Sequence, residues 1–342
     1  MSYLNKKLIF IVFVSMLISE VSGQAVFGTG ERYALIVGGV GGLEKFSTKY
    51  FEQTNRLYRL LVDSLHYKPE HVTYLLEDTN HPAAKIDAIA SAKNVRKYLN
   101  RLAKVLTKQD QLLVVLIGHG SFDGQWSKFN LVGPDLRDID YAQMLGKLQA
   151  GKIIFIDTSG ASGPFVTKLS AKNRVIVTAT KNGLQHHETT FAGFLLDALH
   201  SDAADINKDK RISVSEAFKF ARASQDTWYA EKHRIRAEHP LLDDNGDGEG
   251  SQFLDERSKD GRFAKNVYLG PVAGQYENVV QRGKSGNQSP EDKLVRKKVN
   301  LEHKIETLKS QKNQLPPEEY AKKLETYLIE LAKTNRKLKA KK

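Results

Sequence analysis

Two stretches decide the fold: residues 111–121 read QLLVVLIGHGS, and residues 152–163 read KIIFIDTSGASG. Each begins as a short run apolar on both faces and stops abruptly in a turn of glycine, serine and polar residues. A run that is apolar throughout, and not alternately, belongs to a strand covered on both sides. Working outward, residues 33–37, 71–76 and 174–177 give three more such runs. Between them lie helical patterns, one through Phe51, Leu57, Leu60, Leu61 and Leu65, another over residues 94–106. Strands and helices in alternation predict a three-layer α/β/α domain around a mostly parallel sheet, here spanning residues 30–275. In such sheets the working groups collect at the carboxyl ends of the strands, where both quoted runs end.

The flanks read differently. Lys6 and Lys7, an apolar run over residues 8–18 and small residues at 21–25 have the three-part layout of a secretory signal, ending near residue 24. The run is too short to span a bilayer, so an exported chain, periplasmic or secreted, is expected, with no transmembrane segment once the signal is removed. At the other end, residues 276–292 form a Gly/Ser/Gln-containing linker. Beyond it Leu294, Leu301, Leu308 and Leu315 recur every seven residues, Pro316 and Pro317 interrupt, and Leu324, Leu331 and Leu338 resume the period. This predicts a basic helical hairpin or coiled coil over residues 293–340, with self-association through these helices as one partner reading.

The formal net charge is +12, but residues 289–342 hold 15 Lys and Arg against 8 Asp and Glu, so the tail supplies +7 and the rest only +5. The body is close to balanced, and nucleic acid is not an expected partner. The chain has no cysteine, which excludes disulfides, thiolate metal sites and a cysteine nucleophile.

The two strand-end turns resemble the active-site motifs of the legumain-like and caspase-like cysteine peptidases. In these families one apolar strand ends in His-Gly and the next in Asp-(Ala/Thr)-Cys. Here the first motif is Gly118-His119-Gly120 and the second Asp157-Thr158-Ser159, so serine stands at the nucleophile position. The resemblance covers residues 32–270 and implies a dyad of His119 and residue 159, with the main-chain amides of Gly120 and Ser159 as the oxyanion hole. The spacing after Ser159 is one residue looser than the strictest family pattern, leaving Ser162 as another candidate hydroxyl. A thiol is readily held as thiolate beside a histidine; a hydroxyl is far less acidic and needs a histidine oriented by a carboxylate. No such orienter is fixed by the sequence, although Asp123 lies near. The expected function is therefore an exported pseudopeptidase, catalytically silent, acting on a peptide or protein ligand by binding. The alternatives are a serine peptidase or amidase using Ser159 and His119, and a calcium-dependent structural or assembly protein.

The calcium reading comes from residues 205–216, which fit a twelve-residue EF-hand loop. Asp205, Asn207 and Asp209 stand at ligand positions 1, 3 and 5, Arg211 offers a carbonyl at 7, and Glu216 closes at 12. Lys210 replaces the glycine at position 6, so weak binding is expected; a capping role for Ser213 and Glu216 at the next helix is the other reading. Residues 243–248 (DDNGDG) resemble half of a second loop without its closing glutamate. No organic cofactor is expected: the glycines at 38–42 lack the third glycine of a dinucleotide loop. The pair His186 and His187 with Glu188 reads as surface or helix start, not as a zinc site.

Overall fold

The computed structural model describes residues 30–82, 84–209 and 211–270, then 294, 297, 298, 301, 304, 305, 308 and 316–339. The proposed signal and linker lie outside the described residues.

Seven strands form the main sheet: β1 (Arg32–Gly38), β2 (Val72–Leu76), β3 (Ala88–Ile89), β4 (Gln111–Ile117), β8 (Lys152–Asp157), β9 (Arg174–Thr178) and β10 (Leu241–Asp243). They lie in the order β10-β9-β8-β4-β1-β2-β3, and every pair is parallel except β10 on β9. The expected fold is the observed one, with the antiparallel edge strand β10 added.

Side chains alternate across these strands, so each strand feeds two cores. On one face Ile36, Leu113, Val115, Ile154, Ile156 and Val177 pack under α1 (Glu44–Arg59), α5 (Phe191–Ala198) and α6 (Val214–Glu231). On the other, Leu35, Val37, Val114, Leu116, Phe155 and Ile176 pack against α2 (Ala92–Val105), α3 (Asp138–Leu145) and α4 (Pro164–Leu169). Full burial of one such side chain contributes about 1.5–3 kcal/mol, which is why a central strand can be apolar on both faces. Helix α2 begins at Ala92, two residues before the expected start at 94, because the Ser91 side chain caps it by accepting a hydrogen bond from the Asn94 amide at 3.4 Å. Glu216 and Ser213 cap α6 reciprocally.

A small antiparallel sheet follows β4, built from β5 (Gly120–Phe122), β6 (Ser127–Phe129) and β7 (Leu136–Arg137) in that order. Its strands are two or three residues long, too short to show a period in the sequence.

In the C-terminal part, α7 spans Pro317–Lys339, and the described residues from 294 to 308 are helical. Lys297 pairs with Glu330 at 3.1 Å, and the Lys304 ammonium sits 5.7 Å from the centre of the Tyr327 ring. Advancing along one segment thus retreats along the other, so the two run antiparallel. Leu301, Ile305 and Leu308 of its seam are buried. Among the described residues, no helix is long and apolar enough to cross a membrane.

Candidate active site

Because β4 and β8 are parallel neighbours in the register Leu116 to Asp157, the two glycine-bearing turns leave the sheet side by side. The Thr158 amide still bonds the Leu116 carbonyl at 3.0 Å, so the ladder holds up to the residue before Ser159. The turns are in direct contact: a Cβ placed on Gly120 would lie 2.5 Å from Ser159 Oγ and 2.2 Å from the Gly160 carbonyl. Only glycine permits that approach. The residue after His119 is thereby set against Ser159 at the carboxyl edge of the sheet.

His119 is held from below by α1 and from the side by the loop before α5. Its Nδ1 lies 3.2 Å from Glu188 Oε2 and 3.1 Å from the Tyr50 hydroxyl, which itself donates to Glu188 Oε2 at 2.6 Å. Lys49 holds the other carboxylate oxygen of Glu188 at 2.6 Å, and Phe46 meets the imidazole edge-on at 4.8 Å between centroids. Burial, and then the bond to Glu188, push the Tyr50 hydroxyl well above its ordinary range, so it stays a donor. Glu188 thus supplies a carboxylate behind the histidine. The sequence offered it only as part of His186-His187-Glu188, with nothing to tie it to His119.

The loop that carries Glu188 is fastened to the turn that carries Ser159. The Thr189 hydroxyl donates to the Thr158 carbonyl, and the Ala161 amide donates to the Gln185 carbonyl at 2.7 Å. A Cβ on Gly160 would stand 2.7 Å from the His187 carbonyl, so this crossing also requires glycine. Further back, the buried carboxylate of Glu238 accepts from the amides of Thr190 and Phe191 and from the hydroxyls of Thr190 and Tyr229, pinning the start of α5.

Ser159 itself is turned inward. It is fully buried, its hydroxyl donates to the Gly160 carbonyl at 3.2 Å, and its amide donates to Asp157 Oδ1 at 2.9 Å. The amide expected to serve the oxyanion hole is therefore already bonded. Burial pushes the Asp157 carboxyl up to about 7, against the opposing effect of its bonds from Ser159; its Oδ2 has no partner among the described residues. Ser162 is committed elsewhere: its Oγ accepts from the amides of Ala179 and Thr180 at 3.1 and 3.2 Å. Asp123 does not reach His119; it closes its own turn with Lys128 and the amides of Gln125 and Trp126.

The residues of the EF-hand-like loop lie at the start of α6, away from this centre in the chain. The Asp209 amide donates to Asp205 Oδ1 at 3.1 Å and Asn207 Oδ1 at 2.8 Å, and the Asn207 amide donates to Glu216 Oε1 at 3.1 Å. The oxygens of positions 1, 3 and 12 thus turn into one loop, as calcium ligation would need, but there they accept main-chain N–H groups. Arg211 donates its amide to Asp209 and stacks its guanidinium on Tyr268 at 3.5 Å. The left-handed residue is Lys208, with φ +57°; Lys210 lies outside the described residues. In the second acidic loop Asp244 accepts from the amides of Gly261 and Ala264 and Asp243 from those of Asn245 and Gly246, so both carboxylates brace the chain. Among the described residues, no three His, Cys, Asp or Glu side chains are gathered as a metal cage.

No family model matches the chain, and no curated protein matches it. Among solved structures it is similar to the crystal structure of protein GSU0716 from Geobacter sulfurreducens. The identity is 13% and the TM-score 0.41, over 62% of this chain and 92% of that one.

Proposed function

We propose that this chain is an exported relative of the caspase/legumain-type peptidases that has lost catalysis and works by binding a peptide or protein. The observation that carries this reading is the state of Ser159: fully buried, its hydroxyl given to Gly160 and its amide to Asp157. Acyl transfer needs a hydroxyl presented to a carbonyl and to a base, and an amide free to receive the oxyanion. Both groups of Ser159 would have to break existing bonds first, and a hydroxyl lacks the acidity that a thiol would bring to the same position. His119, by contrast, is partly open to solvent at the end of β4. Export is the part of the proposal that rests on Lys6, Lys7 and the apolar run after them.

The pairing of Glu188 with His119 favours a second reading, a serine peptidase or amidase in which His119 is the base and Glu188 its orienter. Incubation of the protein and its Ser159→Ala variant with a diverse peptide library separates the two. The silent reading expects the same uncut peptides from both, with peptides retained on the immobilised protein; cleavage by the parent alone overturns it and establishes the hydrolase.

A further inference from the structure

β5 is the edge strand of the small sheet and starts at the residue after His119. Its ladder to β6 has the register Gly120 to Phe129, Ser121 to Lys128 and Phe122 to Ser127. At the two ends of that ladder the Asn130 amide bonds the His119 carbonyl at 3.0 Å, and the Asp123 amide bonds the Trp126 carbonyl at 3.2 Å. An antiparallel ladder bonds alternate residues. The bonded set on this strand is therefore 119, 121 and 123, and the N–H and C=O groups of Gly120 and Phe122 point the other way. Among the described residues, neither main chain meets a side-chain or loop partner. Two donors and two acceptors, two residues apart on a half-buried strand, match the spacing of one extended backbone.

What covers β5 lies on its face. The Cβ direction of Gly120 runs into Ser159 and Gly160, and the Phe122 ring abuts Gly183, which leaves no room for a Cβ there, at 2.3 Å. Side chains of alternate residues share a face, so these loops back one face of the strand, not its hydrogen-bonding edge. Leu184, next in the chain to Gly183, is 76% exposed and adds apolar surface beside the residue that the Phe122 ring abuts.

We infer that the edge of β5 takes up an extended peptide, bonded to the main chain of Gly120 and Phe122, with an apolar side chain set against Phe122 and Leu184. The inference rests on the peptide-binding reading above and names the strand and the class of ligand. The peptide would run past His119 in the position of an added strand, so recognition would come mostly from main-chain hydrogen bonds and depend little on sequence.

The test uses the full chain, a fluorescent probe of sequence acetyl-Ser-Thr-Leu-Thr-Ser-amide, and the variants Phe122→Ala and Phe122→Pro. Both variants lose the ring; only proline also loses the outward N–H, and proline is tolerated on an edge strand. Binding about tenfold or more weaker in Phe122→Pro than in Phe122→Ala is expected. Equal affinities would overturn the edge and leave peptide binding standing elsewhere. Loss of all probe binding by the unaltered protein, while library peptides are still retained, would likewise remove this edge and not the broader reading. Retention of no peptide at all would remove both. Should Phe122→Pro unfold, N-methylation of the probe decides on the unaltered protein: sensitivity at alternate amides supports strand addition, and sensitivity at every amide or at none excludes it.

Discussion

Glu188 Oε2 stands 3.2 Å from His119 Nδ1, with the Tyr50 hydroxyl donating to the same carboxylate oxygen. The nitrogen that carries the proton on a neutral imidazole is set by what the ring faces. A carboxylate facing Nδ1 draws the proton there and leaves Nε2 as the acceptor. In Glu188→Ala the Tyr50 hydroxyl is released and can donate to Nδ1 instead, so the proton should move to Nε2. Long-range proton–nitrogen correlation spectra of the neutral His119 imidazole should show Nδ1–H in the parent and Nε2–H in the variant; the same tautomer in both would deny Glu188 its orienting role.

Placing cysteine at position 159 tests the site from the other side. Ser159→Cys should cleave no library peptide, because the amide at 159 stays bonded to Asp157 and the side chain stays buried. Its thiol should react with iodoacetamide at least about tenfold more slowly in buffer than in denaturant, since burial withholds the thiolate. Fast labelling accompanied by cleavage would mean that the turn opens readily.

Asp157 ties stability to pH. Burial penalises its charge and pushes the folded carboxyl up to about 7, from an ordinary carboxylate value of about 4. Between these values the folded protein keeps a proton that the unfolded chain has released, so stability is full below about pH 4 and falls as pH rises towards 7, by on the order of a few kcal/mol for this group. In Asp157→Asn that slope should disappear from urea melts across this range. A parent and variant with the same pH dependence would show that the carboxyl is ionised in place.

Glu238 is a remote support of the site. Replacing it by alanine leaves the amides of Thr190 and Phe191 and the Tyr229 hydroxyl without their acceptor. We expect a loss of about 2–4 kcal/mol in denaturant melts and the His119 tautomer change of Glu188→Ala, since the loop before α5 is released. Glu188→Ala, at a partly exposed position, should cost much less stability.

A calcium titration tests residues 205–216. If Asp205, Asn207, Asp209, the Arg211 carbonyl and Glu216 take the ion, it must displace the amides of Asn207 and Asp209 from their present acceptors. Affinity should therefore be weak, with a Kd on the order of 0.1–1 mM. At about ten times that concentration the ion should stabilise the fold by about 1.4 kcal/mol, with no effect on Asp205→Asn. An equal response from both would place the ion elsewhere, and none from either would leave Glu216 with its capping role alone.

The sequence by itself determined the layers. The runs at 33–37, 111–117, 152–156 and 174–177 are local patterns whose apolar surface has one economical solution, a parallel sheet covered on both sides, and that solution puts His119 and Ser159 on neighbouring strand ends. The seven-residue leucine period likewise marked the C-terminal part as helical. Tertiary structure alone decided the chemistry of the site. Glu188 reaches His119 only because the loop before α5 is bonded across the Ser159 turn. Asp123, nearer in sequence, is spent on Lys128, and Asp157 changes character only through burial. The unpaired edge of β5 follows from a three-residue ladder too short to leave a period. Pattern records which faces are buried; it does not record which polar groups meet once those faces close, because such pairings join residues far apart in the chain and depend on ångström distances.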